Sequence, residues 1–243
     1  MMKFKFICCE VFTREACIAI ARSPHTVDPE FTPKGAHEKP EYLRNLIQEK
    51  IDAADKDAAY DYVLLGFGLC GNAAAGLKAR SIPLVIPRAH DCCTIFLGSR
   101  SRFVEYFGNN LSSEWSSAGY MERGDSYIRD TDTGKLLGLD REFEDLVKQY
   151  GEENAVYIWE TLHPESKSNE LIYINTPETS QLGYIEKLRQ VAENEGKSLR
   201  ILEGDMRLIN SMVMGEWNED EYLIVPPGKE IKPVYDMDKV VDI

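Results

Sequence analysis

Short apolar stretches alternate with segments of helical spacing along the chain, and this alternation predicts most of the elements. Residues 3–9 read as a strand, followed by a helix from Thr13, whose hydroxyl is placed to cap it. Four prolines (Pro24, Pro29, Pro33 and Pro40) predict an irregular loop over 23–40. A helix over 41–57 carries Leu43, Leu46, Ile47 and Ile51 on one face. Strand 61–67, a helix through Ala73–Ala79, strand 82–87 and a helix over 95–107 complete the first half.

Residues 109–137 lose this periodicity and are rich in Ser, Asn, Gly and Asp, with Trp115, Tyr120 and Tyr127 among them. They predict an irregular insertion, a lid or an interface. The alternation then resumes with a helix over 139–150, strand 155–160, a short strand at 171–175, a helix over 179–195 stopped by Gly196, strand 199–203, a helix over 205–214 and strand 222–226. Strand–helix alternation in both halves predicts an α/β fold: a predominantly parallel, doubly wound, Rossmann-like sheet of about six strands, with two similar three-strand halves as one form of it. The corresponding division is 1–108, carrying the candidate site, then 109–137, then 138–243.

A net charge of −13, without a basic stripe, argues against nucleic acid and anionic membrane as partners and favours small molecules or proteins, a second copy of the chain included. With no apolar run long enough to span a bilayer and no export signal, the expected location is cytoplasmic, where thiols stay reduced. That changes how the six cysteines read. Five of them fall at predicted strand ends: Cys8 and Cys9, Cys70, and Cys92 with Cys93. Cys17 lies on an apolar helical face and is expected in the core.

The carboxyl ends of parallel strands form the ligand crevice of an open sheet. Thiols from three strand ends, with His90 two residues from Cys92, predict a thiolate-rich site. Zinc and iron–sulfur centres require such soft ligands, and Cys9, Cys70, His90 and Cys92 form the candidate metal set. Cys8 should face away from Cys9, and Cys93 away from Cys92. Their alternative role is that of small buried apolar residues. Glu10, Asp91 and Glu203 are candidate second-shell or proton-carrying groups, with Glu10 and Glu203 the catalytic candidates and Glu160 a weaker one.

The turn from Gly66 to Asn72 is glycine-rich but departs from the dinucleotide pattern, since its third glycine, Gly71, comes one residue early. Gly68, Gly71, Asn72 and Arg88 are the candidate binders of an anionic substrate group. Asp205 reads as a helix N-cap, and His25, His37 and His163 as surface residues. The motifs of serine hydrolases, zincins and P-loop enzymes are absent.

Cys9-Glu-Val, Gly66-Phe-Gly-Leu-Cys-Gly-Asn72, Ile86-Pro-Arg-Ala-His-Asp-Cys92, Leu97-Gly-Ser99, Leu202-Glu-Gly-Asp205, Gly215-Glu-Trp217 and Val225-Pro-Pro-Gly228 together resemble an uncharacterised prokaryotic domain-of-unknown-function family of anaerobic archaea and bacteria. The resemblance covers most of the chain outside 109–137. It implies a setting among corrinoid-dependent methyltransferase systems, with a corrinoid or methyltransferase protein as partner. The expected activity is a zinc-dependent enzyme acting on a small molecule by methyl transfer. The alternatives are a metal or corrinoid carrier or assembly protein, and an iron–sulfur protein.

Overall fold

The computed structural model describes residues 1–34, 36, 39–57, 59–70, 72–107, 113–123, 147, 151–152, 155, 169–234 and 239–243. Instead of one six-stranded sheet, the described residues form a five-stranded, mainly parallel sheet and a separate three-stranded parallel one. In the larger sheet, β1 (Lys3–Cys9) lies between β2 (Thr26–Thr32) and β3 (Tyr62–Gly66). β4 (Leu84–Pro87) follows β3, and the antiparallel β8 (Tyr222–Val225) closes that side. Helix α1 (Thr13–Arg22) joins β1 to β2, and α2 (Pro40–Asp57) joins β2 to β3.

Side chains alternate across this sheet as a strand requires. Phe4, Phe6, Cys8, Leu64 and Val85 enter one core with Ala16 and Ala19 of α1. Ile7, Val63, Leu65, Leu84 and Ile86 enter the other core with Leu43, Ile47 and Ile51 of α2. From β1 the chain moves outward to β2, then returns past β1 to β3 and β4. The order therefore reverses between β1 and β3, and the crevice of such a sheet opens at the carboxyl ends of those two strands.

The smaller sheet has the order β5 (Trp115–Ser117), β6 (Glu170–Asn175), β7 (Ser198–Glu203), and β8 joins the larger sheet, so the described strands do not divide into two three-strand halves. Helix α6 (Tyr184–Asn194) packs Leu188 and Ala192 against Leu171 and Tyr173 of this sheet. Its other face joins the core of the larger sheet through Trp115, Ile172, Ile174 and Leu202. Helix α7 (Arg207–Met214) fills the same core with Leu208, Ile209, Met212 and Val213.

Several expectations are corrected. The proline-broken loop contains β2, with Pro29 opposite Phe6. An edge strand tolerates proline because its outward N–H has no ladder partner to lose. Ala73–Ala79 forms turns rather than a helix: Gly76 adopts φ +81°, and its N–H donates to the Ile231 carbonyl at 2.7 Å.

The helix expected over 95–107 is two helices, α3 (Cys92–Leu97) and α4 (Arg100–Phe107), parted by Gly98 at φ +77°. The helix over 179–195 likewise divides at Gly183 into a 3₁₀ turn (Pro177–Leu182) and α6. The Thr13 hydroxyl donates to the Glu10 carbonyl at 2.6 Å and does not cap α1. Cys17 is exposed, because α1 buries Glu15, Ala16 and Ala19 instead.

Within 109–137, the part described is mostly built into the fold: Trp115 and Tyr120 are buried on β5 and on α5 (Ala118–Glu122). The helix predicted over 139–150, strand 155–160 with Glu160, and His37, His163 and Gly71 lie outside the described residues, single positions excepted. Among the described residues, no helix is long and apolar enough to cross a membrane.

Candidate thiol site

Three adjacent strands each deliver one thiol to the crevice. Cys9 ends β1, Cys70 lies in the turn after β3, and Cys92 opens α3 shortly after β4. Cys70 sits in the left-handed region at φ 47°, and Asn72 does so at φ 71°. A side chain rarely adopts this conformation without support from its surroundings. Here the Cys70 N–H donates to the His90 carbonyl at 3.0 Å and the Leu69 N–H to the Ala89 carbonyl at 2.8 Å.

Gly68 makes that approach possible, since a Cβ there would lie 2.6 Å from the Asp91 backbone nitrogen. Asp91 in turn caps α3, accepting from the Thr94 N–H at 3.1 Å and the Thr94 hydroxyl at 3.2 Å. The turn after β3 is thus pinned to the turn after β4, which places Cys70 beside Cys92.

A fourth polar group comes from α5. The Tyr120 hydroxyl lies 2.7 Å from the Cys92 sulfur. Gly119 sets this position: a Cβ there would fall 1.7 Å from the Val11 carbonyl oxygen, so only glycine lets α5 lie against the Glu10–Phe12 turn that follows β1. Trp115 meets Tyr120 edge-on at 4.9 Å between ring centroids.

The thiols feel one another. Burial pushes Cys9 up to about 11 and Cys70 up to about 12, and it drives Cys92 and Tyr120 well above their ordinary values. Beyond burial, negative charge on Cys9 raises Cys70, charge on Cys70 and Cys9 raises Cys92, and all three thiols raise Tyr120. The three residues are only partly buried, yet desolvation dominates the titration of their thiols. At neutral pH the set is therefore protonated, and a nearby positive charge is what converts such thiols to thiolates.

Part of that charge is present. Lys34 and Arg123 act on Cys9 in the sense that favours its thiolate. The Lys34 ammonium lies 5.6 Å from the centre of the Tyr120 ring, and the residue is 5% exposed. The Glu10 carboxylate accepts from the Lys34 backbone N–H at 2.8 Å and lies 3.7 Å from the Arg123 guanidinium, at the rim beside Cys9.

The remaining candidates meet other partners. The His90 ring packs on Phe103 with centroids 5.8 Å apart. Arg88 donates to the backbone carbonyls of Glu219, Lys239 and Val241, where it ties the C-terminal residues to β4 instead of facing a substrate. Glu203 ends β7 in the smaller sheet and lines a separate polar cavity of about 410 Å³ with Arg102, Asp205 and Asn210. Asp205 accepts from the Arg207 N–H at 2.8 Å but is not the formal N-cap of α7.

Cys8 is fully buried, with its S–H directed to the Gly66 carbonyl at 3.6 Å, and Cys93 is fully buried in the same core. Without a helix behind it, the Gly66–Asn72 turn offers no row of helix N-terminal amides to an anion. Among the described residues, no group of three or more His, Cys, Asp or Glu has the spacing to hold a metal ion as it stands.

Tyr120, Lys34 and Gly119 are the contributors that residue patterns missed. Tyr120 and Gly119 sat in a segment without periodicity, and Lys34 in a stretch dominated by prolines. Comparison with known proteins gives one family model, described as "Protein of unknown function (DUF1638)", which matches residues 31–213. No curated protein and no solved structure matches the chain.

Proposed function

The chain belongs to the DUF1638 family, and we propose that its thiol crevice holds a soft divalent cation, zinc in the first instance, through Cys9, Cys70 and Cys92. The observation that carries this reading is the placement of three cysteines after three adjacent strands, with the turn holding Cys70 pinned to the turn that opens on Cys92. Each thiolate raises the cost of the next, and burial raises it for all of them. A cation at their centre reverses that balance, because a coordinating thiol is deprotonated outright. Among the described residues no group has metal-holding spacing as it stands, so on this reading loading would have to bring the three sulfurs closer together.

Cys9, Cys70 and Cys92 would hold the ion and would leave it open to a substrate. When bound, the ion supplies Lewis acidity to a small molecule. The protein's own groups would do the rest: Tyr120 holds the Cys92 sulfur by its hydrogen bond, and Glu10 at the rim moves protons. Methyl transfer in a corrinoid-dependent, anaerobic setting is the reaction class that the family resemblance adds, with a corrinoid or methyltransferase protein as partner. A carrier without turnover uses the same thiols. An iron–sulfur cluster fits less well, because Cys8 and Cys93, the thiols that would complete its ligand set, are buried in the core.

Anaerobic titration with Co²⁺ tests this reading. A single ion per chain should give sulfur-to-cobalt charge-transfer absorption and be displaced by zinc, and Cys9→Ser, Cys70→Ser and Cys92→Ser should each weaken the band. Absence of the band, or a band unchanged in all three variants, contradicts it.

A further inference from the structure

We infer that the 3₁₀ turn Pro177–Leu182 is a proton-controlled strap, which opens more readily once Glu15 loses its proton. The inference does not depend on the metal reading. The turn joins β6 to α6 and is thinly anchored: of its six residues, only Thr179 is buried. The Ser180 hydroxyl and the Gln181 amide donate to the Pro177 and Glu178 carbonyls, within the turn itself. Two cavities of about 410 Å³ each border it. One is lined by Arg14, Cys17 and Ile18 of α1 together with Glu178, Thr179 and Gln181; the other is the polar cavity beside Glu203. Glu178 lines both, so the turn stands between them.

What fastens the turn is a short chain of buried oxygens. The Thr179 hydroxyl lies 3.2 Å from the Thr176 carbonyl and 3.1 Å from the Thr176 hydroxyl, which lies 3.1 Å from Glu15 Oε1. Glu15, Thr176 and Thr179 are 2% exposed or less, and Glu15 Oε2 has no partner among the described residues. Three contacts need three protons, and the two hydroxyls supply only two. A protonated Glu15 supplies the third: its O–H donates to Thr176, the Thr176 hydroxyl to Thr179, and the Thr179 hydroxyl to the carbonyl. Ionisation removes one of these bonds and leaves a buried charge, and lifting the turn to admit water relieves both. Around Glu15 stand Arg14 on its own helix, Cys8 on β1, Tyr173 on β6 and Glu122 on α5, and the turn adds Glu178, 4.0 Å from Arg22. Arg14 is paired with Glu122 at 2.6 Å. Burial pushes the Glu15 carboxyl up to about 7, so the change falls in the neutral range.

Amide hydrogen exchange of the full chain, corrected for the intrinsic effect of pH, tests this. The Thr179 N–H donates to the Thr176 carbonyl at 3.0 Å and reports on the strap; the Ile172 N–H donates to the Glu114 carbonyl at 3.0 Å and reports on the smaller sheet. Thr179 should exchange faster than Ile172 at every pH, because local opening suffices for it. Opening returns Glu15 to water and to its ordinary value of 4.5, so Thr179 protection should fall by on the order of fiftyfold from pH 5 to pH 8. In Glu15→Gln that protection should not change with pH. Wild-type protection of Thr179 that is independent of pH, or that falls equally in the variant, overturns the inference. So does Thr179 exchange no faster than that of Ile172, since the turn then opens only with the whole fold.

Discussion

Glu15 offers the sharpest quantitative prediction. Its side chain lies on α1, is 1% exposed, and accepts from the Thr176 hydroxyl at 3.1 Å, while its other carboxylate oxygen has no partner among the described residues. The charged or titratable groups around it are Arg14 on its own helix, Glu122 on α5, Tyr173 on β6 and Cys8 on β1. Burial, the largest cause, pushes the carboxyl up to about 7 from an ordinary value of 4.5.

A folded-state pKa above the unfolded one means that the native protein binds the proton more tightly, so stability falls as pH rises. Below about pH 4.5 both states are protonated and nothing is lost. The loss grows between the two values and is complete above about pH 7, where it reaches about 3 kcal/mol at 1.36 kcal/mol per unit. Glu15→Gln removes the titration and leaves only a pH-independent offset from its amide, so the quantity to measure is how the difference between the two proteins changes with pH. Urea unfolding of both at intervals from pH 4.5 to 8 should show the variant gaining about 3 kcal/mol on the wild type across that range. A difference independent of pH refutes the account of Glu15 as a carboxyl buried against the smaller sheet.

Two further outcomes follow from the placement of side chains. In metal-free protein at pH 8, a disulfide reagent should modify exposed Cys17 first, and Cys9, Cys70 and Cys92 much more slowly, with their rates rising toward pH 11; peptide mapping of the modified chain checks the order. Arg88→Ala should lower unfolding stability by about 2–3 kcal/mol, through loss of hydrogen bonds from a charged donor to three backbone carbonyls, while leaving cobalt absorption unchanged; a lost cobalt band with unchanged stability would restore Arg88 to the site.

How far the sequence reached depended on whether local periodicity or long-range packing decided a residue's place. Strands β1, β3, β4, β6, β7 and β8 and helix α2 carried clear apolar patterns, and the strand-end cysteines followed from them. β2 was hidden because Pro29 reads as a breaker, and only its edge position makes it harmless. Cys17 was misplaced because its helix reads as apolar on that side, whereas packing against β1 and α7 selects Ala16 and Ala19, and Glu15 turns in to the Thr176 hydroxyl.

The approach of α5 to the Glu10–Phe12 turn depends on one missing Cβ, at Gly119, which no pattern announces. Arg88 carries charge suited to an anion, but its guanidinium meets C-terminal carbonyls that only the closed fold supplies. The division into two sheets likewise depends on pairing between Trp115–Ser117 and β6 across a long stretch of chain.

The central claim is that Cys9, Cys70 and Cys92 converge on one cation. X-ray absorption at the zinc edge of anaerobically loaded protein measures this directly. The account predicts three sulfur neighbours at about 2.3 Å, falling to two when any one of these cysteines is replaced by serine. A shell of oxygen and nitrogen alone, or a sulfur count unchanged in every variant, would contradict it.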